Sequence, residues 1–227
     1  MANLRWLGHA SFEVELAGRT ILIDPWFSKN PGDSERLVAP AVTPQQIRRA
    51  DIICVTHEHY DHKSRADIEA IVARTFAHVV APPETLAELE DVVPLRQRVS
   101  AREGDAFDLL GVQIEVVPAK HPQSAHPVGY VLRGEGKSVY HAGDTYDFFG
   151  MSKHGADVAL LPIGGTYTMD VLSALNAVKH VRPRVVVPMH YGTFPKIRAD
   201  VDDFARRVRK DTRADCQALS VGDSMAF

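Results

Sequence analysis

Three of the chain's 11 histidines fall within six residues, His57-Glu58-His59-Tyr60-Asp61-His62, directly after the apolar run Ile52 to Val55. A strand that ends at Thr56 and then emits three imidazoles and a carboxylate places them on a loop at its carboxyl edge, where α/β sheets present ligands. Imidazole nitrogen and carboxylate oxygen are ligands for zinc, manganese and iron, and the alternation H-x-H-x-D-H lets two neighbouring ions share one loop. The opposing reading is a solvated polar turn. Burying so many ionisable groups together without a metal would carry a heavy desolvation cost.

Further potential ligands follow other apolar runs. His121 comes after Ile114 to Pro118, Asp144 after Ser138 to Tyr140 within His141-Ala142-Gly143-Asp144-Thr145, and His190 after Val185 to Pro188. Taken singly, His121 and His190 are loop histidines and Asp144 beside Gly143 is a turn aspartate. The repeated pattern, strand then His or Asp, would put all three on one rim beside the histidine loop.

Those residues need a scaffold of strands. Short runs rich in β-branched residues recur at Ile21 to Ile23, Ile52 to Val55, Val79 to Val80, Ile114 to Val117, Tyr130 to Leu132, Val158 to Leu161 and Val185 to Val187. Phe12 to Leu16 alternates, turns at Ala17-Gly18 and returns through Arg19 to Ile23, which predicts a hairpin. Helical patterns cover Ser64 to Thr75, Pro83 to Leu89, Met169 to Lys179 and Val201 to Val208. Early strands are joined by turns and later ones by helices, so mixed sheets with helices on their outer faces are expected. Ser28 to Glu35 is the best loop candidate, too short to divide domains. One α/β domain over residues 1–227 is the expectation.

Composition narrows the function classes. The 227 residues are 45% hydrophobic and 24% charged, a balance that excludes disordered and fibrous proteins. A net charge of −3 leaves no general electrostatic footprint for nucleic acid. No run approaches the ~18 apolar residues of a membrane span, and no basic segment leads into an apolar stretch at the amino terminus. Two cysteines, Cys54 and Cys216, make no disulfide framework, so a reducing, cytoplasmic setting is expected.

The histidine loop followed by His, Asp and His resembles the metallo-β-lactamase superfamily, whose members carry these residues in this order over nearly the full chain. Leu7-Gly8-His9-Ala10-Ser11, Ile23-Asp24-Pro25, Tyr140 to Thr145, Leu161 to Gly165, Thr168-Met169-Asp170 and Pro188 to Thr193 are similar to one branch in particular. That branch is the metal-dependent hydrolases that include ascorbate-6-phosphate lactonase-like proteins and, more distantly, N-acylphosphatidylethanolamine phospholipase D enzymes. The resemblance implies a four-layer αββα sandwich with two central mixed sheets and two divalent ions, zinc or manganese, with iron also suited. It implies one ion on His57, His59 and His121, a second on Asp61, His62 and His190, and Asp144 between them. It also implies a homo-oligomer. Lys63-Ser64 follows His62 where many relatives carry Leu-Gly or Leu-Asp, which puts the pocket beside His62 in question.

Two divalent ions can hold a water whose pKa falls toward about 7, which makes hydroxide available at neutral pH to attack a carbonyl carbon or phosphorus. Two dications, two carboxylates and one hydroxide leave roughly +1, a pocket for an anionic small molecule. The expected substrate is a lactone, ester or phosphoester. A nucleotide or phospholipid-headgroup phosphodiesterase and a non-catalytic metal-binding protein are the alternatives. Asp61 is either a ligand only or also the catalytic acceptor of the water's proton. Asp24 and His9 are candidates to stand behind the ligands and fix imidazole tautomers, although His9 reads equally as an ordinary histidine. Tyr60, Tyr167 and Tyr191 flank the motifs and either polarise substrate or pack, and Lys120 either pairs with an anion or is solvated. Gly165 and Thr166 either cradle an anionic group or form a tight turn. His78, His154 and His180 read as surface or helix-end residues, while His126 and His141 are placed beside the pocket.

Overall fold

A computed structural model describes residues 2–28 and 36–227. The expected loop at Ser28 to Glu35 lies, apart from its first residue, outside the described residues. The first half contains β1 (Asn3–Gly8), β2 (Ser11–Leu16), β3 (Arg19–Ile23), β4 (Ile52–Cys54), α1 (Arg65–Thr75), β5 (His78–Ala81), α2 (Pro83–Ala87) and β6 (Arg98–Ser100). The second contains β7 (Ala106–Leu109), β8 (Val112–Pro118), β9 (Val128–Gly134), β10 (Lys137–His141), β11 (Val158–Pro162), α3 (Val171–Val181), β12 (Val185–Met189), α4 (Val201–Asp211), β13 (Asp215–Cys216) and β14 (Ser224–Ala226).

The strands form two seven-stranded sheets, β14-β1-β2-β3-β4-β5-β6 and β13-β12-β11-β10-β9-β8-β7. In the first, β14 through β3 pair antiparallel and β3 through β6 parallel. The second has β7 through β10 antiparallel and β10 through β13 parallel. The hairpin at Ala17-Gly18 holds, with φ of 51° and 71°, the pair of positive values that a two-residue turn needs to match strand twist.

Strand alternation builds three apolar layers. Ile21, Ile23, Ile52 and Cys54 of the first sheet meet Val158, Leu160, Val187 and Met189 of the second in a core between the sheets. Their neighbours Leu22, Ile53 and Val55 face the other way, onto Ile68, Ile71 and Val72 of α1. Ala159, Leu161 and Val186 likewise face Ala174, Val178 and Phe204 of α3 and α4. Strands covered on both faces read as unbroken apolar runs, which is why these were visible in sequence. The result is the αββα sandwich.

Capping residues set the helix boundaries. Ser64 caps α1, accepting from the Asp67 N–H, so the Lys63-Ser64 pair begins this helix while Lys63 is buried against Glu88. Asp170 accepts from the Ser173 N–H at 2.8 Å, so α3 starts at Val171, two residues later than its apolar pattern suggested. α2 ends at Ala87, two residues short of expectation.

Candidate metal centre

Every metal-capable side chain on the rim lies just past the carboxyl end of a strand. His9 follows β1, Asp24 follows β3, His57 to His62 follow β4, and His121, Asp144 and His190 follow β8, β10 and β12. Three of these residues turn the chain through the left-handed region, with φ of 57° at His9, 46° at Asp24 and 56° at His190. Such a backbone costs about 1 to 3 kcal/mol at a residue with a side chain and persists only where its surroundings enforce it. The His190 N–H donates to the His9 carbonyl at 3.0 Å and the Asp24 N–H to the Cys54 carbonyl at 2.9 Å, so strand ends brace one another.

Asp24, fully buried, orients the histidine loop. Its Oδ1 accepts the Thr56 N–H at 2.7 Å, and its Oδ2 accepts both the Thr56 hydroxyl and His62 Nδ1, each at 2.7 Å. Because the Thr56 hydroxyl donates to Asp24, it accepts from His57 Nδ1 at 2.9 Å. The network therefore assigns Nδ1–H tautomers to His57 and His62, leaving both Nε2 lone pairs free. On His59 the roles reverse. Nε2 donates to the Gln123 carbonyl at 3.2 Å, so Nδ1 carries the lone pair.

These lone pairs converge. His59 Nδ1 lies 3.1 Å from His57 Nε2 and 3.3 Å from His121 Nε2. Ligating atoms of His57, His59, His121 and Asp144 all lie within 4.8 Å of one another, and so do those of His9, Asp61, His62 and His190. Asp144 stands between the groups, with Oδ1 3.3 Å from His62 Nε2 and 3.2 Å from His190 Nε2, and Oδ2 3.8 Å from His121 Nε2. All seven ligand candidates read from the sequence are thus brought together in two groups. His9, expected behind the ligands, reaches into the second group, with Nε2 3.3 Å from Asp61 Oδ2 and Nδ1 3.1 Å from the Thr193 hydroxyl.

The donor set suits cations. His62 Nε2, His190 Nε2 and Asp144 Oδ1 are buried without a hydrogen-bond partner among the described residues. An unpaired buried polar atom costs about 1 to 3 kcal/mol, and a divalent ion shared by these atoms would satisfy all three. Without an ion, a proton competes for the same place on His62. Burial opposes a charge on His62, but Asp144 and Asp24 outweigh it and raise its pKa well above the usual imidazole value. Burial likewise opposes the charge on Asp144, yet His190 and His62 hold its carboxyl well below the usual range. Burial, with His62 adding to it, keeps His57 neutral by holding its pKa well below 6.5.

The groups open into a cavity of about 690 Å³ whose floor is formed by His59, Asp61, His121, Asp144 and His190. Tyr60 and Tyr167 also line it, as the flanking-tyrosine reading allowed. Gly165, Thr166 and Tyr191 do not. The Thr166 hydroxyl donates to the Lys196 carbonyl at 2.7 Å and braces that loop, and the Gly165 N–H donates to the Met169 carbonyl at 2.9 Å in a turn. Tyr191 packs on Trp6, ring centroids 5.5 Å apart, in the core. His141 is also displaced from the pocket. It is buried, donates from Nε2 to the Ala10 carbonyl at 2.9 Å and accepts the Gly143 N–H at Nδ1, 3.1 Å. His126 pairs with Glu84 at 3.4 Å outside the cavity lining, and His154 is buried beside Tyr140 rather than at the surface. Lys120 lies over the Phe148 ring, 5.7 Å from its centroid.

Trp26 is a site residue that sequence reasoning missed. Its ring carries His9 at 5.2 Å, Phe194 at 5.7 Å and Tyr60 at 5.9 Å, with the Arg36 guanidinium 4.0 Å over its centroid. The signal was its place two residues after Asp24. Phe194 was overlooked in the same way, directly beyond the Pro188 to Thr193 segment, in which Thr193 was given no role of its own.

Residues 3–190 match the family described as the Beta-lactamase superfamily domain. The chain belongs to the metallo-β-lactamase superfamily. It is 45% identical over 241 residues, covering all of both chains, to a UPF0173 metal-dependent hydrolase of Thermofilum pendens. A UPF0173 metal-dependent hydrolase of Caldivirga maquilingensis is 42% identical over 90% of this chain and 88% of the relative. A solved metallo hydrolase of the archaeon Ignicoccus hospitalis superposes with a TM-score of 0.85 at 35% identity, covering 100% of this chain and 99% of that one. This protein is accordingly a metal-dependent hydrolase, and the rim of imidazoles and carboxylates is its candidate active site.

Proposed function

We propose that the hydrolase binds two divalent ions and cleaves a small anionic lactone, ester or phosphoester. The observation that carries this reading is the position of Asp144, whose two oxygens face different four-residue groups. His57, His59 and His121 would hold one ion, Asp61, His62 and His190 the other, and Asp144 both. Zinc and manganese suit these ligands best, with iron also compatible. When bound, the pair would supply an activated water at neutral pH and stabilise negative charge developing on the substrate.

The chain's own groups do the rest. Asp24 and Thr56 keep the His62 and His57 lone pairs aimed at the floor, which removes a tautomeric choice before substrate arrives. Asp61 Oδ2 lies 3.3 Å from His9 Nε2, and the Asp61 carboxylate would also hold the proton of an attacking water. Tyr60 stays protonated, because burial and the neighbouring Asp61 both raise its pKa, and so offers an O–H donor beside the floor. The cavity walls carry a single cation among the described residues, Lys196, and no basic groove, which favours a small molecule with one anionic group over a polyanionic chain such as nucleic acid.

The test is a substrate panel of lactones, carboxylic esters and phosphodiesters with protein loaded separately with zinc and manganese, its metal content measured by elemental analysis. Two ions per chain and turnover in at least one panel are expected. A fully loaded protein inert across all three panels would overturn the proposal.

A further inference from the structure

The cavity is far larger than its reactive floor requires, and the excess is apolar. Leu37, Tyr60, Phe194, Pro195 and Ile197 line one side of the 690 Å³ space. Leu37 and Tyr60 are 45% and 41% exposed, so this side of the cavity presents apolar surface to a ligand. This wall is held in place. Trp26, 1% exposed, stacks on Phe194 and meets Tyr60 edge-on. The loop bearing Phe194 to Ile197 is closed by the Gly192 N–H to Ile197 carbonyl bond at 2.8 Å, and the Thr166 hydroxyl ties Lys196 to the neighbouring loop. Lys196 is exposed within this wall and has no carboxylate within ion-pair distance among the described residues.

A ligand of two or three carbons would reach the metal-binding floor and leave the wall wet. Pockets of roughly 300 to 1,000 Å³ bury ligands of drug size, oriented by a few polar groups among apolar ones. From the braced apolar wall, the one lining ammonium among the described residues and the cavity volume, we infer that the substrate is an amphipathic acid. Its scissile group sits on the floor, a medium-length alkyl or aryl chain lies along Phe194 and its neighbours, and a second, non-reacting carboxylate or phosphate meets Lys196. This inference rests on the hydrolase reading for the scissile end only. The chain and acid contacts are properties of the wall.

The experiment separates the two. Straight-chain dicarboxylates from succinate to sebacate, and the matching monocarboxylates, are titrated by calorimetry into the metal-loaded protein as product mimics. Affinity should rise with chain length in both series, by up to about fourfold per methylene that becomes buried. At the lengths that span floor and Lys196, the dicarboxylate should bind about twofold to fivefold more tightly than the monocarboxylate, as for an exposed ion pair. Lys196→Ala should erase that difference and leave the chain-length slope, Lys196→Arg should retain it, and Phe194→Ala should flatten the slope. Affinity independent of chain length, or a Lys196→Ala effect equal on both series, overturns the inference. Panels that show no hydrolysis while these binding differences persist would count against the hydrolase proposal and leave the wall's assignment standing.

Discussion

Asp24→Asn isolates the role of the buried carboxylate that touches no ligand-facing nitrogen. The wild-type Oδ2 receives two donors, the Thr56 hydroxyl and His62 Nδ1–H, both at 2.7 Å. Asparagine keeps one oxygen for the Thr56 N–H but presents an NH₂ group where Oδ2 stood, so donors face a donor. Thr56 can rotate its hydrogen away. His62 escapes only by moving its proton to Nε2, which blocks the lone pair that lies 3.3 Å from Asp144 Oδ1. Loss of such an orienting partner lowers metal affinity about 10- to 100-fold, or roughly 1.4 to 2.7 kcal/mol. Competition with a chelator should show that loss at one of the two sites, since His57 is oriented through Thr56 rather than by Asp24 directly. Long-range ¹H–¹⁵N spectra should show His62 passing from the Nδ1–H to the Nε2–H tautomer. A folded variant with unchanged affinity at both sites, or with His62 still protonated at Nδ1, would refute the reasoning.

Asp144→Asn should reduce metal binding at both sites, because its two oxygens serve opposite groups, and should lower turnover at least about 100-fold; metal analysis showing two ions still bound would contradict this. Acid should destabilise the metal-free protein through His141, whose pKa is lowered by burial. An unfolded histidine titrates near about 6.5, so below that pH the unfolded state binds the extra proton and stability falls by up to about 1.4 kcal/mol per pH unit until the folded pKa is reached. Thermal melts at stepped pH should show a shallower acid slope in His141→Gln than in wild type. Gly164→Ala would place its Cβ 2.2 Å from the His190 carbonyl oxygen, a contact that backbone must move to relieve. Denaturant unfolding should report a loss of about 1 to 3 kcal/mol, with weaker metal binding as His190 shifts.

The histidine loop, Asp144 and His190 were legible in sequence because each follows a strand buried on both faces, which shows as an unbroken apolar run, and His121 because it follows β8, whose alternation still reads as a strand. Residue type and chain position suffice for that inference. Position relative to other segments does not. Tyr191 and Gly165 lie as close in sequence to His190 and the Gly164 turn as any pocket residue would, yet one turns into the core and the other into a surface turn. Which side of a rim loop a side chain takes depends on backbone angles and on partners far away in sequence, as His9 shows by meeting Thr193, 184 residues on. Residue patterns by themselves therefore determined the ligand chemistry, mixed sheets with outer helices and the rim, and the family resemblance added the four-layer sandwich. Tertiary structure alone decided the distances from Asp144 to the two groups, that Trp26 supports an apolar wall and that His9 faces Asp61. These depend on the mutual placement of two sheets, and no local pattern encodes a distance between segments that meet only when the core closes.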